Sequence, residues 1–221
     1  MFQTEFFSYV QLGFTHISDL NAFDHILFVT ALCALSDVRE WQHLLWLITA
    51  FTLGHSVTLA LSTLNIISFP SPIVEFLIPV TIFATACVNI IALHRRKDVF
   101  DPVGAMRSEA TPSTSTKNIK TTFPGQERAK YLMAVCFGFI HGMGFSTFLK
   151  SLLGKEASIT LPLFAFNIGL EVGQILIVGC LLLLTLLATQ ILHLARRDWS
   201  LIVSGAALGI ALTLMLKNFP W

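Results

Sequence analysis

The chain has 221 residues, of which 54% are hydrophobic and only 12% are charged. A soluble domain typically carries about 25% charged residues, so this composition excludes a water-soluble single domain and predicts an all-α, polytopic membrane protein. Fourteen Lys and Arg residues against thirteen Asp and Glu residues leave a formal net charge of +1. That balance gives no reason to expect nucleic acid as a partner.

The apolar stretches predict a membrane helical bundle of about six transmembrane helices, in one membrane domain covering residues 1–221. Residues 1–19 are aromatic-rich but too polar to span, and we expect them at the membrane interface. A bilayer core about 30 Å thick needs about 20 apolar helical residues per crossing. The predicted spans are Leu20–Leu35, Trp41–Leu61, Pro72–Leu93, Ala129–Leu152, Leu161–Leu192 and Trp199–Leu216. The fifth is long, so it must tilt, extend beyond the bilayer or begin with a re-entrant piece around Pro162.

Residues 95–128 form the most polar stretch of the chain, with Ser, Thr and Pro concentrated around residues 111–116. They predict a flexible linker between two three-helix halves, residues 20–94 and residues 129–221. Eleven of the fourteen basic residues fall on the same side of the membrane as this linker. The positive-inside rule therefore predicts a multi-pass protein of the inner (plasma) membrane with a cytoplasmic linker and both termini outside. The expected partners are membrane lipids and a metal ion, and such a bundle is compatible with a homo-oligomer.

Several polar and ionisable side chains interrupt the apolar spans. A charged side chain at the centre of a spanning helix costs about 2.5–3.5 kcal/mol, and it is retained when it pairs, binds an ion or does chemistry. A rise of about 1.5 Å per residue places the ionisable ones in the outer half of the membrane, which argues for a single site. The predicted metal ligands are His16, Asp24, His25, His55, His141 and Glu171, and the predicted supporting residues are Ser56, Glu75, Asn167 and Gln174.

The types of these side chains indicate which ion they suit. Imidazole and carboxylate groups together bind first-row divalent ions such as Ni²⁺, Zn²⁺ or Co²⁺, and the lack of an obvious thiolate ligand argues against Cu(I). The alternative is that these residues form inter-helix hydrogen bonds or buried ion pairs. The histidines at helix ends, His43, His94 and His193, are expected to be interfacial, and the four cysteines, which lack C-x-x-C spacing, are expected to be packing residues.

Five motifs resemble the HupE/UreJ family of hydrogenase and urease accessory membrane proteins. They are GFTHISDLNAFDHILFV (13–29), FTLGHSVTLAL (51–61), VEFLIPVTI (74–82), FGFIHGMGFS (137–146) and FNIGLEVGQ (166–174). The family's His-x5-Asp-His signature matches His16, Asp24 and His25, although seven residues separate His16 from Asp24 here. The resemblance implies a nickel or cobalt permease, or a metal-delivery factor for nickel enzymes.

Three functions stay open at the level of sequence. In a metal permease the site would strip the hydration shell from the ion, although the inner halves of the helices offer few polar residues beyond Asn89 and Gln174. In a metal-dependent intramembrane hydrolase acting on an outer-leaflet lipid or lipoprotein, the metal would keep an open position for water. The candidate general bases for that enzyme are Glu75 and Glu171, and the candidates near the reacting group are Ser56 and Ser146. The third function is a metal-sensing or assembly factor without turnover.

Overall fold

A computed structural model describes residues 2–20, 23–36, 38–97, 124–153 and 159–220. These ranges contain helices and no strands. The helices are α1 (Phe2–Ser18), α2 (Asp24–Cys33), α3 (Trp41–Thr63), α4 (Ser71–Lys97), α5 (Pro124–Leu153), α6 (Thr160–Leu186) and α7 (Arg196–Lys217). A short 3-10 helix, Val38–Glu40, precedes α3, and α6 continues as a π-helical turn, Leu187–Ile191. Five helices, α3 to α7, are long and apolar enough to cross a membrane, so the chain is a polytopic helical membrane bundle.

The first predicted span, Leu20–Leu35, is wrong in its length. The helix in this region, α2, has ten residues and extends about 15 Å, which is half of a bilayer core. The polar sequence around residues 19–23 separates α2 from α1. Each of these two helices runs in the same direction as the helix it packs against, α1 with α6 and α2 with α4. They therefore follow one another through the bundle as a broken helix.

Helix α1 packs lengthwise and parallel against α6. Residues 1–19 were expected at the membrane interface. Residues 2–18 instead form α1, which makes one of the main helix pairs of the bundle. Two glycines allow the close approach: a Cβ at Gly13 would overlap the carbonyl oxygen of Phe166, and a Cβ at Gly169 would overlap that of Val10. Small residues at such crossings are typical of membrane helices. Hydropathy does not show which helices pair, so this pairing was not predicted.

The two predicted three-helix halves are interleaved in space. The three most extensive helix pairs, α1 with α6, α3 with α5 and α4 with α7, each join one helix from either side of residues 98–123. Glycines again bring α3 and α5 together, because a Cβ at Gly54 would overlap the Val135 carbonyl oxygen and a Cβ at Gly138 would overlap that of Phe51. The sequence could not predict these three helix pairs, since neither chain order nor hydropathy shows which helices are neighbours.

We call the two ends of the bundle the Glu75 end and the Lys130 end, after one residue at each. At the Glu75 end, α4 begins and α7 ends, and the Asn218 side-chain amide donates to the Glu75 carbonyl oxygen over 3.2 Å. At the Lys130 end, α3 and the apolar part of α5 begin, and the Tyr131 hydroxyl lies 3.0 Å from Nδ1 of His43. Helices α4 and α6 run from the Glu75 end toward the Lys130 end, whereas α3, α5 and α7 run the other way.

The remaining predicted elements differ from the structure mainly at their ends. Helix α4 extends to Lys97 and α5 begins at Pro124, so both ends of the predicted linker 95–128 are helical, while residues 98–123 lie outside the described part. The fifth span has no re-entrant piece, because Pro162 lies in the first turn of α6, where proline breaks no helical hydrogen bond. Large apolar side chains on α6 and α7 are exposed, as expected for helices that face lipid; examples are Leu176, Leu183, Ile202 and Leu216.

Candidate metal centre

Four histidines from four different helices meet inside the bundle. They come from the end of α1 (His16), the start of α2 (His25), and the middle of α3 (His55) and α5 (His141). The ring centre of His25 lies 4.8 Å from that of His16, 5.0 Å from that of His141 and 6.1 Å from that of His55. We call these four residues, together with Asp24, the histidine cluster. His25 is its central member.

The potential ligand atoms of the cluster fall into two overlapping groups. In each group the three atoms lie within 4.8 Å of one another: His16, His25 and His55 form one group, and Asp24, His25 and His141 form the other. A group of three such ligands could hold one first-row ion and leave a further position for water or substrate. His25 is the one residue that both groups share.

Most imidazole nitrogens of the cluster have no hydrogen-bond partner. His16 Nε2, His25 Nε2, His141 Nδ1 and both ring nitrogens of His55 are buried and unpartnered among the described residues. A buried polar atom without a partner costs about 1–3 kcal/mol. Five such atoms in one place are therefore an expensive arrangement for packing alone. They fit a metal ion, because an imidazole nitrogen must carry a free lone pair to coordinate one.

In His25 and His141 the other ring nitrogen has a neighbour that fixes the ring. Nδ1 of His25 lies 3.2 Å from Oδ1 of Asp24. A neutral His25 that donates to this carboxylate from Nδ1 presents the lone pair of Nε2 to the cluster. Nε2 of His141 lies 3.4 Å from the Thr81 hydroxyl, which itself donates to the Ile78 carbonyl oxygen over 2.6 Å. Metal-binding histidines are typically oriented in this way by a carboxylate or another oxygen.

Aromatic side chains enclose the histidine cluster. The ring of Phe145 lies 3.8 Å from that of His16, and Phe51 lies 5.3 Å from His141. His55 and His141 are 0% and 1% exposed. A largely apolar shell of this kind limits the entry of water and strengthens the interaction between an ion and its ligands.

The whole sequence matches a known family. A family model described as HupE / UreJ protein matches residues 1–107 and 111–218. The chain belongs to the HupE/UreJ family. No curated protein and no solved structure gives a significant match to the chain. Membership implies a membrane accessory or transport protein concerned with nickel or cobalt, and the groups of His and Asp ligand atoms are compatible with binding such a metal.

In this HupE/UreJ protein the break between α1 and α2 lies between His16 and Asp24. His16 belongs to the last turn of α1, whereas Asp24 and His25 begin α2. His16 still lies beside His25, with their ring centres 4.8 Å apart.

Glu171 lies apart from the histidine cluster of this HupE/UreJ protein. Its carboxylate accepts a 2.5 Å hydrogen bond from the Thr49 hydroxyl, and it lines a shallow surface pocket with Trp46 and Ile175. It belongs to neither group of potential ligands. The Glu171 side chain faces α3 near Thr49, at a position away from the imidazoles.

Two supporting residues on α6 also bond to α3. Asn167 accepts a 2.7 Å hydrogen bond from the Ser56 hydroxyl, and the side-chain oxygen of Gln174 accepts one of 2.7 Å from Thr52. With Glu171 they line one face of α6, as their spacing predicts. These bonds connect the two helices and account for most of the predicted supporting residues.

The last predicted residues lie near the Glu75 end. Glu75 is exposed, and its carboxylate accepts a 2.7 Å hydrogen bond from the Ser71 hydroxyl. It lines an open pocket of about 180 Å³ together with Asp24 and Asn218. Ser146 is buried, and its hydroxyl donates to the Met143 carbonyl oxygen over 2.8 Å. Sequence reasoning missed Thr81, although its spacing from Thr85 and Asn89 on α4, i, i+4 and i+8, was a readable signal.

Proposed function

We propose that this HupE/UreJ protein binds a divalent first-row metal ion at the histidine cluster and handles it as cargo, as a nickel- or cobalt-type permease or as a metal-delivery accessory protein. The observation that carries the proposal is the convergence of five buried, unpartnered imidazole nitrogens from four helices. The predicted ligands His16, Asp24, His25, His55 and His141 belong to the proposed site, and Glu171 does not.

The ligand set supports the choice of metal. Neutral imidazoles with one carboxylate suit Ni²⁺, Co²⁺ and Zn²⁺, whereas Cu(I) favours thiolate and thioether ligands. None of the four cysteines belongs to either ligand group. The family relation favours nickel and cobalt over zinc. We therefore propose Ni²⁺ or Co²⁺ as the cargo.

The proposed orientation lets the ion reach the cluster from outside the cell. The 11-to-3 distribution of basic residues puts the linker in the cytoplasm and the termini outside, in an inner (plasma) membrane. The Glu75 end is then the outer end. The pocket formed there by Glu75, Asp24 and Asn218 has two carboxylates, which would attract a cation and begin to replace its water ligands. Efficient labelling of a Ser113→Cys variant from outside intact cells would reverse this orientation.

A metal-dependent hydrolase is the second candidate. It is favoured by one observation, the open pocket in which Glu75 lies near the potential ligand Asp24, because a carboxylate beside a metal site can act as a general base. The other residues considered for this role are engaged elsewhere: Glu171 bonds to Thr49 and Ser56 bonds to Asn167. Tightly bound metal without any flux would favour this enzyme.

Metal uptake into vesicles tests the permease. Purified parent protein, His25→Ala and His94→Ala are reconstituted separately, and Ni²⁺ or Co²⁺ entry is measured. Because His25 belongs to both ligand groups, we expect His25→Ala to lower uptake by tenfold or more. The control His94→Ala, an exposed position near the Lys130 end, keeps the parental rate. Equal uptake by all three proteins would contradict the proposal.

A further inference from the structure

A second cavity lies on the other side of the histidine cluster, toward the Lys130 end. It has a volume of about 100 Å³ and lies between α2, α3, α4 and α5, partly open to the surface. A single water needs about 10–15 Å³ of such volume, so several waters or a partly hydrated ion would fit. Its polar lining consists of His43, Thr85, Asn89, Ser36 and Lys130.

A row of polar side chains on α4 connects this cavity with the cluster. Thr81, Thr85 and Asn89 follow one another at intervals of four residues, and they are only 4%, 5% and 7% exposed. Thr81 is the residue beside His141, whereas Thr85 and Asn89 line the cavity. The Thr85 hydroxyl donates to the Thr81 carbonyl oxygen over 2.9 Å. The row covers about 12 Å of membrane depth.

Three phenylalanines separate the cluster from the cavity in this structure. Phe28 and Phe51 stack with ring centres 4.9 Å apart, and both contact the ring of His141. Phe28 also packs against Phe137 at 5.6 Å, and Phe137 lines the cavity. An ion leaving the cluster toward the Lys130 end would have to pass between these rings and α4.

We propose that this cavity is a second station for the transported ion, an exit vestibule in which a partly hydrated divalent cation is held by hydroxyl and amide oxygens before release to the cytoplasm. The proposal rests on the permease function. The cavity offers these oxygens and one imidazole, His43, whereas the cluster offers four imidazoles and a carboxylate. Oxygen ligands bind first-row ions more weakly than imidazoles do, so the ion leaves a tight site for a looser one. The phenylalanine layer is the closed gate between the two stations.

Substitutions at Thr85 test the vestibule without touching the cluster. Thr85→Val removes the hydroxyl at nearly constant volume, whereas Thr85→Ser keeps it. We expect Thr85→Val to lower Ni²⁺ uptake into reconstituted vesicles by about tenfold, and Thr85→Ser to retain most of it. The purified Thr85→Val protein should bind as much Ni²⁺ per chain as the parent. Thr213→Val, which removes an exposed hydroxyl on α7, is the matched control and keeps the parental uptake.

A second variant, Ala92→Leu, tests the vestibule if the Thr85→Val protein does not fold. Ala92→Leu fills part of the cavity from its lining, and it should block uptake while Ni²⁺ binding persists. Parental uptake by folded Thr85→Val or Ala92→Leu would overturn the vestibule and leave the permease standing. If the parent itself binds Ni²⁺ but takes up none, the permease fails and the vestibule fails with it. The two failures are therefore distinguishable.

Discussion

Among single residues, the geometry of the histidine cluster depends on which nitrogen of each imidazole ring has a neighbour. His25 makes ring contacts with the other three histidines of the cluster, and its Nδ1 faces Asp24. The carboxylate has a second role, because its Oδ1 also accepts a 3.0 Å hydrogen bond from the backbone N–H of His25. Asp24 thus fixes the ring that both ligand groups share.

Replacing Asp24 by Asn should weaken metal binding by about 10–100-fold, the usual cost of losing such an orienting carboxylate. The amide keeps a hydrogen-bond acceptor for the helix start but loses the negative charge. Titration of purified protein with Ni²⁺ measures the change in dissociation constant. Glu5→Gln, at an exposed position on α1, is the charge-matched control. An unchanged affinity in Asp24→Asn would remove Asp24 from the site.

The sequence shows which side chains are unusual in these helices, but it does not show which of them meet in space. An ionisable side chain in an apolar helix is visible in the sequence, so all four histidines of the cluster and Asp24 could be named. The direction in which a side chain points is set by neighbouring helices, which the sequence does not give. Glu171 was therefore grouped with the histidines, although it bonds to Thr49.

At the scale of elements, glycine contacts determine how closely the helices approach. The backbones of α1 and α6 touch at Gly13 and Gly169, and this contact holds the end of α1, with His16, beside α2. Gly142 on α5 plays the same part next to α3, because a Cβ there would overlap the carbonyl oxygen of His55. The positions of the imidazoles thus depend on backbone contacts on their own helices.

A methyl group at such a crossing should be harmful, whereas one on an open helix face should be tolerated. Gly169→Ala forces α1 away from α6 and should destabilise the bundle by about 1–3 kcal/mol, the usual cost of overpacking. Gly205→Ala, on α7 with nothing within 4 Å of the added carbon, should be neutral or slightly stabilising. Thermal unfolding in detergent compares the two. Equal midpoints would mean that the α1–α6 crossing is looser than described.

The elements themselves were only partly predictable. Spans α3 to α7 could be read from hydropathy, because each has a long apolar window. The broken helix could not, because α2 has ten residues and α1 is polar enough to suggest an interfacial segment. Helix α1 is buried because glycines on α6 let the two helices approach closely. These glycines lie about 150 residues further along the chain.

In the whole molecule, two pockets and the histidine cluster between them lie along one axis of the bundle. The pocket with Glu75 lies at one end, the histidine cluster lies inside the bundle, and the cavity with Asn89 lies toward the other end. All three are lined by α4, whose first turns carry Glu75 and whose later turns carry Thr81, Thr85 and Asn89. This order suits a protein that receives an ion on one side and releases it on the other.

If the histidine cluster is one metal site, the metal content of purified protein must depend on its imidazoles. The parent, His25→Ala, His141→Ala and His94→Ala are each supplied with Ni²⁺, freed of excess and analysed for metal per chain. We predict bound Ni²⁺ in the parent and in His94→Ala, and a sharp loss in His25→Ala and His141→Ala, while all four proteins stay inserted because their apolar spans are intact. Equal metal in all four proteins, or none in the parent after supply of Ni²⁺, Co²⁺ and Zn²⁺, would contradict the claim.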